Sequence, residues 1–522
     1  MSVKPKQLEL TKSELKALQD RIGQQSLLDT DYSILQVMVE MIECLSLAVE
    51  AKDASIARLC KYMFGAPTET AKRILKPKPT EQPSNDKPSE NDKPSEQKKS
   101  EKPKGHGRRP ASQYSDGQKV TIEHPTLCSG DLCPGCQKGH LYETSMPSVT
   151  VHITGQPPLK ATVYERTRLR CNACGETLTP ELPPEVGDKK YDESAAAMVA
   201  VLKYGCGMPL HRLEKLQAAM NMPVPASTQW DILDAAAISL SPVFDALLDC
   251  AAQGEIIHND DTTMKVIAYL RDTQTERKGI FTTALVSVFE EHTVALFRTG
   301  NRHAGENLSD LLGRRKTGIA PPIQMCDALS RNASKEFETI LCNCLTHARR
   351  QFVEIIDSFP EECTYVIDKL GIVYHNDSIT QSMTKEERLS YHQDHSAPVM
   401  AELKSWCERQ ISEKLVEPNS GLGKAIQYML KRWQTLTRFL EVPGCPLDNN
   451  LCERVLKFAI LHRKNALFYK TNRGAEVGDL FMSLIHTCQF AGVNPLEYLS
   501  WLLKNADKLQ SNPKDFLPWC YP

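Results

Sequence analysis

The chain has 522 residues, room for about two to four domains, and its 41% hydrophobic and 25% charged residues are those of ordinary globular protein. A net charge of -2 excludes a chain-wide basic field, so any contact with nucleic acid must come from local patches. No stretch approaches the ~20 apolar residues of a membrane span, and the charged start MSVKPKQLELTKSELKAL lacks the apolar centre of a signal peptide, which points to a cytoplasmic protein with no membrane partner.

Residues 1–75 read as a helical region. Leu35, Ile42, Val49 and Ile56 recur every seven residues, with Met38, Leu45, Lys52 and Leu59 three positions later. That seam suits either an amphipathic helix packed on its own protein or a dimerising coiled coil. Residues 76–118 contain the hexapeptide NDKPSE twice in tandem and almost nothing apolar, so they are expected to be a disordered linker. It ends in the basic cluster KGHGRRP, which holds Arg108 and Arg109.

Most of the 18 cysteines sit singly in apolar context, where a buried inert thiol is the default. Two pairs differ. Cys133-Pro-Gly-Cys136 and Cys171-Asn-Ala-Cys174 each let two thiolates reach one ion from a tight turn, and together they complete a tetrahedral sulfur site. Residues 119–185 therefore read as a zinc ribbon, with redox chemistry as the rival reading and Cys128 as a stray alternative ligand.

Residues 190–252 look helical: a helix, a Gly205-Cys206-Gly207 turn, a second helix, a proline-rich break and a third helix from Ser227. Such an array resembles a helix-turn-helix DNA-binding region, though glycine-joined helix pairs also serve proteins that never meet DNA. Strand-like alternation follows in GEIIHND, TTMKVIAYLRD and KGIFTTALVSVFEEHTVALFRT, then a helix over about 304–315 and a strand in APPIQMCD. The rest, from about 330 to 508, reads as predominantly helical.

This order is that of an RNase H-like α/β core spanning 253–475, followed by a C-terminal helical segment, 476–522. In such a core an acid at the end of the first strand sits beside one at the end of the fourth, and a later helix supplies a third. Asp260, Asp327 and Glu453 fit those positions, with Asp448-Asn449-Asn450 as a natural helix start before Glu453. Three carboxylates at one cleft suit two Mg²⁺ ions, although an Asp at a strand end is often only a turn residue. The gap from Asp327 to Glu453 is 126 residues, so a helical insertion, about 355–440, is expected to interrupt the core. The fold class is thus multi-domain α+β.

In order along the chain, KYMFGAPTETAKRIL, KGHGRRP, the paired CxxC, VLKYGCGMPLHRLEKLQ, HNDDTTMKV, MCDAL, CLTHARRQF, DNNLCERVLK and HRKNALFYKTNRGAE resemble segments of the insertion sequence 66 transposase family. The resemblance implies a DNA transposase that hydrolyses phosphodiesters at element ends and transfers the strands into target DNA. It maps Asp260, Asp327 and Glu453 onto the catalytic, magnesium-binding acids, and Cys133, Cys136, Cys171 and Cys174 onto a structural zinc site. Asp261 stands where the family has Glu, which leaves Asp261 as the alternative first ligand. Basic residues of the matched segments, Arg108, Arg109, Arg212, Arg349, Arg350, Arg454, Lys457 and Lys464, become the candidate DNA contacts. A homo-oligomer and companion proteins from the same element are implied partners. The rival functions are a catalytically inactive DNA-binding regulator and a non-transposing nuclease of the same fold. His258, beside Asp260, reads either as a cation screening phosphate charge or as a structural residue. Cys344 and His347, at helical i, i+3 spacing, suit a metal, a DNA contact or simple packing.

Because the linker carries almost no apolar surface to bury, deleting most of residues 76–118 is expected to change stability by less than about 0.5 kcal/mol. A clear drop in melting temperature of the shortened chain would show that the segment packs.

Overall fold

The computed structural model describes residues 189–271 and 279–522 without a break, and scattered positions within 18–36 and 121–186. The heptad positions from Met38 onward, the linker 76–118 with Arg108 and Arg109, and Cys133, Cys171 and Cys174 lie outside the described residues. The chain divides into two compact units, residues 1–80 with 352–375, and residues 81–351 with 376–522. In the first, positions 31, 32 and 34–36 are helical. There Asp31 accepts both Arg21 Nε and Nη2 at 2.8 Å and the Leu28 amide at 2.9 Å.

In the second unit, short antiparallel pairings flank both cysteine pairs in sequence. Leu132 bridges His140, and β1 (Leu169–Arg170) pairs with β2 (Thr177–Leu178). Cys136 is exposed.

Three helices follow: α1 (Glu193–Ala200), α2 (Leu210–Ala219) and α3 (Ala226–Ala252). Asp192 caps α1 by accepting the Ala195 amide at 2.9 Å. Helix α3 is long and apolar enough to cross a bilayer by length and composition. Its Leu233, Leu240 and Leu247, seven residues apart, are nevertheless fully buried against the protein's own core. Each such burial contributes about 1.5–3 kcal/mol.

The sheet comprises β3 (Ile256–Thr263), β4 (Phe281–Phe289), β5 (His292–Gly300), β6 (Ile323–Cys326) and β7 (Ile340–Asn343), in spatial order β5-β4-β3-β6-β7. The first three are antiparallel; β6 and β7 run parallel to β3. Helix α4 (Ile267–Arg271) follows β3, and α5 (Ala304–Leu312) joins β5 to β6. Two expectations need correction. TTMKVIAYLRD is no strand of its own: its first residues end β3, Val266 bridges Tyr469, and Ile267–Arg271 turn helical. The long third segment instead supplies two strands, reversing at Glu290, whose φ is 53°. Within the predominantly helical stretch after 330, β7 adds a fifth strand, with Cys342 and Asn343 of ILCN buried. Between β7 and the later core helix come α6 (Leu345–Val353), α7 (Pro360–Ile379), α8 (Lys385–His395), α9 (Ala397–Ser412), α10 (Gly421–Lys431) and α11 (Trp433–Leu436). Then follow α12 (Asn450–Ala466), α13 (Asn472–Phe490), α14 (Pro495–Lys504) and α15 (Ala506–Leu509).

One core joins β4, β5, α1, α3, α5, α12, α13 and α14. Its polar seam lies along β5. Asp479, Ser483 and Thr487 on α13 hydrogen-bond the backbone amides of Thr299 (2.6 Å), Phe297 (2.9 Å) and Ala295 (3.1 Å). Four helical residues rise about 6 Å and two strand residues about 6.8 Å, so the helix spacing matches the strand spacing. Ser483→Ala deletes one acceptor with almost no change in volume and leaves a buried amide unpaired. A loss of about 1–3 kcal/mol is expected in urea unfolding of the full chain; a midpoint equal to wild type would show that this ladder adds nothing.

Candidate active site

In the parallel ladder His258 pairs with Met325. The ladder ends at that pair, and two residues on stand Asp260 within β3 and Asp327, the first residue past β6. Strand alternation then sorts β3: His258 and Asp260 share one face, Asn259 and Asp261 the other.

The second face holds structure together. The Asp261 side chain, 1% exposed, accepts His303 Nδ1 at 3.1 Å and Arg331 Nη2 at 3.2 Å. Asn259 Nδ2 and Gln324 Nε2 both donate to the Asn332 carbonyl at 2.7 Å. That clamps the loop after β6, and Gly305 lets α5 come close: a Cβ there would lie 2.3 Å from the Ala333 carbonyl oxygen. Held in this way, the Asn332 amide donates to Asp327 Oδ1 at 2.6 Å and reaches Asp260 Oδ1 at 3.5 Å.

Helix α12 closes the site. Asp448 accepts the Asn450 amide at 3.0 Å, while the Asn449 side chain is turned away from capping. Its Nδ2 donates to the Asn259 carbonyl at 3.2 Å, and its Oδ1 meets His258 Nδ1 at 3.1 Å. Because the amide nitrogen is committed to Asn259, His258 carries its proton on Nδ1. Burial holds the His258 imidazole down at about 4, so it is neutral at physiological pH and is a structural residue rather than a cation screening phosphate. Glu453 lies in the first turns of α12, its Oε1 3.6 Å from His347 Nδ1.

Burial, and then the charge of Asp327, push the Asp260 carboxyl up to about 7, with Asp261 and Glu453 adding smaller repulsions. The site thus gathers carboxylates without a side-chain cation beside Asp260 among the described residues. Arg212, Arg454, Lys457 and Lys464 are exposed, Arg350 is half-buried, and Arg349 is buried with 8% of its surface exposed. Burial makes Arg349 a poor candidate for a DNA contact. Sequence reading missed Asn332 and Asn449, which position the acids, and Arg463, which donates to Thr262 Oγ1 at 3.0 Å and to Thr263 Oγ1 at 2.7 Å at the end of β3. The signals available were the Asp448-Asn449-Asn450 run and the polar residues at strand positions 259 and 324.

A carboxyl whose folded value lies above its unfolded value binds extra protons in the native state, so its stabilisation is lost as pH rises. For Asp260 the window runs from about 4 to about 7. Without divalent cations, wild type is expected to lose a few degrees more of melting temperature between pH 5 and pH 8 than Asp260→Asn. Equal losses would show that Asp260 is not held protonated. The buried Asp479, also raised to about 7, contributes alike to both proteins.

The Transposase IS66 family matches residues 189–477, more than half of the chain and all of the sheet and α12. The chain is also similar to two uncharacterized proteins of Sinorhizobium fredii. With y4hP it shares 25% identity over 431 residues, covering 79% of this chain and 76% of that protein. With y4jD it shares 26% over 373 residues, covering 68% and 71%. Those names describe no activity, but the family match spans the elements that bring the three acids together, and on that match the chain belongs to the IS66 transposase family.

Proposed function

We propose that this protein is an Asp-Asp-Glu transposase whose five-stranded sheet and α12 form an RNase H-like catalytic core. The observation that carries the reading is the meeting of Asp260 and Asp327 at one Asn332 amide, with Asp260 raised to about 7 by burial and by its neighbour's charge. Carboxylates forced together in this way are typical of a site built for cations. The donors are all oxygen, which fits two Mg²⁺ ions held by Asp260, Asp327 and Glu453. Bound there, the ions would supply Lewis-acid stabilisation of charge on the attacking and leaving oxygens of a phosphodiester. Asp261 is committed to His303 and Arg331, which favours Asp260 as the first ligand.

The reaction has two steps. Water first displaces one oxygen of a phosphodiester at the element end and leaves a 3′-OH. That hydroxyl then attacks a phosphodiester of target DNA, its proton passing to solvent, and a target 3′-oxygen leaves. Asn332 fixes the Asp327 carboxylate, and Asn449 fixes the start of α12 against β3, so the chain holds its acids before DNA arrives. Exposed Arg454, Lys457 and Lys464 run along α12 away from Glu453 and are the proposed phosphate contacts, with Arg212 on α2 and Arg108 and Arg109 at the end of the linker. The pairings flanking both CxxC motifs support a structural zinc ribbon formed by Cys133, Cys136, Cys171 and Cys174, which with the helices of 190–252 would grip the element ends. A homo-oligomer joined by the N-terminal helix, with companion proteins of the element, completes the proposed assembly.

The test is Mg²⁺-dependent cleavage and joining of element-end DNA. Asp260→Asn, Asp327→Asn and Glu453→Gln are expected to lose activity roughly a thousandfold while still binding DNA. Wild type that binds ends without cutting, companions present, would point to a regulator. Cutting regardless of end sequence, without joining, would point to a nuclease. Normal cutting by Asp260→Asn would overturn the assignment of the first acid.

A further inference from the structure

Cys344, His347 and Glu453 converge beside the acids: one ligand atom from each lies within 4.8 Å of the other two. His347 Nδ1 and Glu453 Oε1 are shielded from solvent and have no hydrogen-bond partner. Their separation of 3.6 Å is too long for a hydrogen bond. It is close to the ~3.3 Å between two donors, each ~2.0–2.1 Å from one tetrahedral ion.

Burial pushes the Cys344 thiol up to about 12, so it stays protonated until an ion displaces the proton, and two backbone amides point at the sulfur. Cys344 Sγ accepts the Asn449 amide at 3.2 Å and a second backbone amide from His347. Amide donors to sulfur stabilise a thiolate ligand, as they do in metal knuckles. Cys344 and His347 are three residues apart at the start of α6, which sets both side chains on one face.

We propose that Cys344, His347 and Glu453 form a binding site for a borderline divalent cation of the zinc class, distinct from the all-oxygen site of Asp260 and Asp327. Sulfur, nitrogen and one carboxylate select zinc or cobalt over magnesium. Loading releases the Cys344 thiol proton to solvent and leaves a fourth position for water. Glu453 then serves one site at a time, so a zinc-class ion antagonises the magnesium reaction; this consequence, unlike the site itself, rests on the catalytic reading of Glu453.

The test uses the full chain and the metal alone. After equilibration with Zn²⁺ and removal of free ion, wild type is expected to retain one zinc more than Cys344→Ser or His347→Gln, the ribbon cysteines being common to all three. Co²⁺ loading adds a difference spectrum with one thiolate-to-cobalt charge-transfer band. Equal metal content and identical cobalt spectra in the three proteins, each with native circular dichroism, would overturn the site and leave Cys344 and His347 as packing around Glu453. A second arm measures inhibition of Mg²⁺-dependent cleavage by Zn²⁺, expected at least tenfold weaker in Cys344→Ser. Extra zinc bound without inhibition would keep the site and refute the shared use of Glu453.

Discussion

Two carboxylates on neighbouring parallel strands repel each other, and everything around Asp260 and Asp327 works to hold them together regardless. The β3–β6 ladder, which ends at His258 and Met325, brings the two stretches of backbone side by side just before the acids. Asn332 then donates to Asp327 and reaches Asp260, while its own carbonyl is clamped by Asn259 and Gln324. Buried amides of this kind strengthen one another in a low-dielectric setting, and each missing partner would cost about 1–3 kcal/mol. The repulsion that remains is visible in the Asp260 carboxyl, held near 7. Folding energy from the apolar core that joins the sheet to its helices offsets it.

Much of this was legible in the sequence. The ends of β3 and β6, the helix between β5 and β6, the three-helix run of 190–252 and the position of Glu453 after Asp448-Asn449-Asn450 all follow from periodicity and turn chemistry. What stayed hidden has a common cause. Asn259, Gln324 and Asn332 are polar and look like surface residues, yet each is fully buried because its partners come from 65 and 73 residues away. Asn449 reads as a helix cap and is instead spent on a strand 190 residues earlier. Strand β7 has four residues, too few for alternation to register against the helices around it. Val266 and Ile267 favour a strand by their side chains, but the Tyr469 carbonyl accepts the Ile267 amide at 2.9 Å and the chain turns into α4.

The near-neutral net charge becomes intelligible at the level of one helix. The inner side of α12 buries Cys452, Val455, Leu456 and Ala459. Its outer side carries Arg454, Lys457 and Lys464. Acidic residues elsewhere balance these in the total, so a chain-wide sum conceals a local basic track. On the proposed reading, DNA would meet that track on the same helix that carries Glu453.

The hydroxyl and carboxyl ladder of α13 also limits what can be added to the β5 edge of the sheet. An outermost strand normally presents free amides to which a further strand can add. On β5 the amides of Ala295, Phe297 and Thr299 are already taken by Thr487, Ser483 and Asp479. The sheet therefore ends in side chains on that flank and cannot be continued by a neighbouring molecule. On the proposed reading, any protomers that gather on DNA would meet this flank through side-chain surfaces, which can be set by charge and released again, and not through a backbone seam along β5.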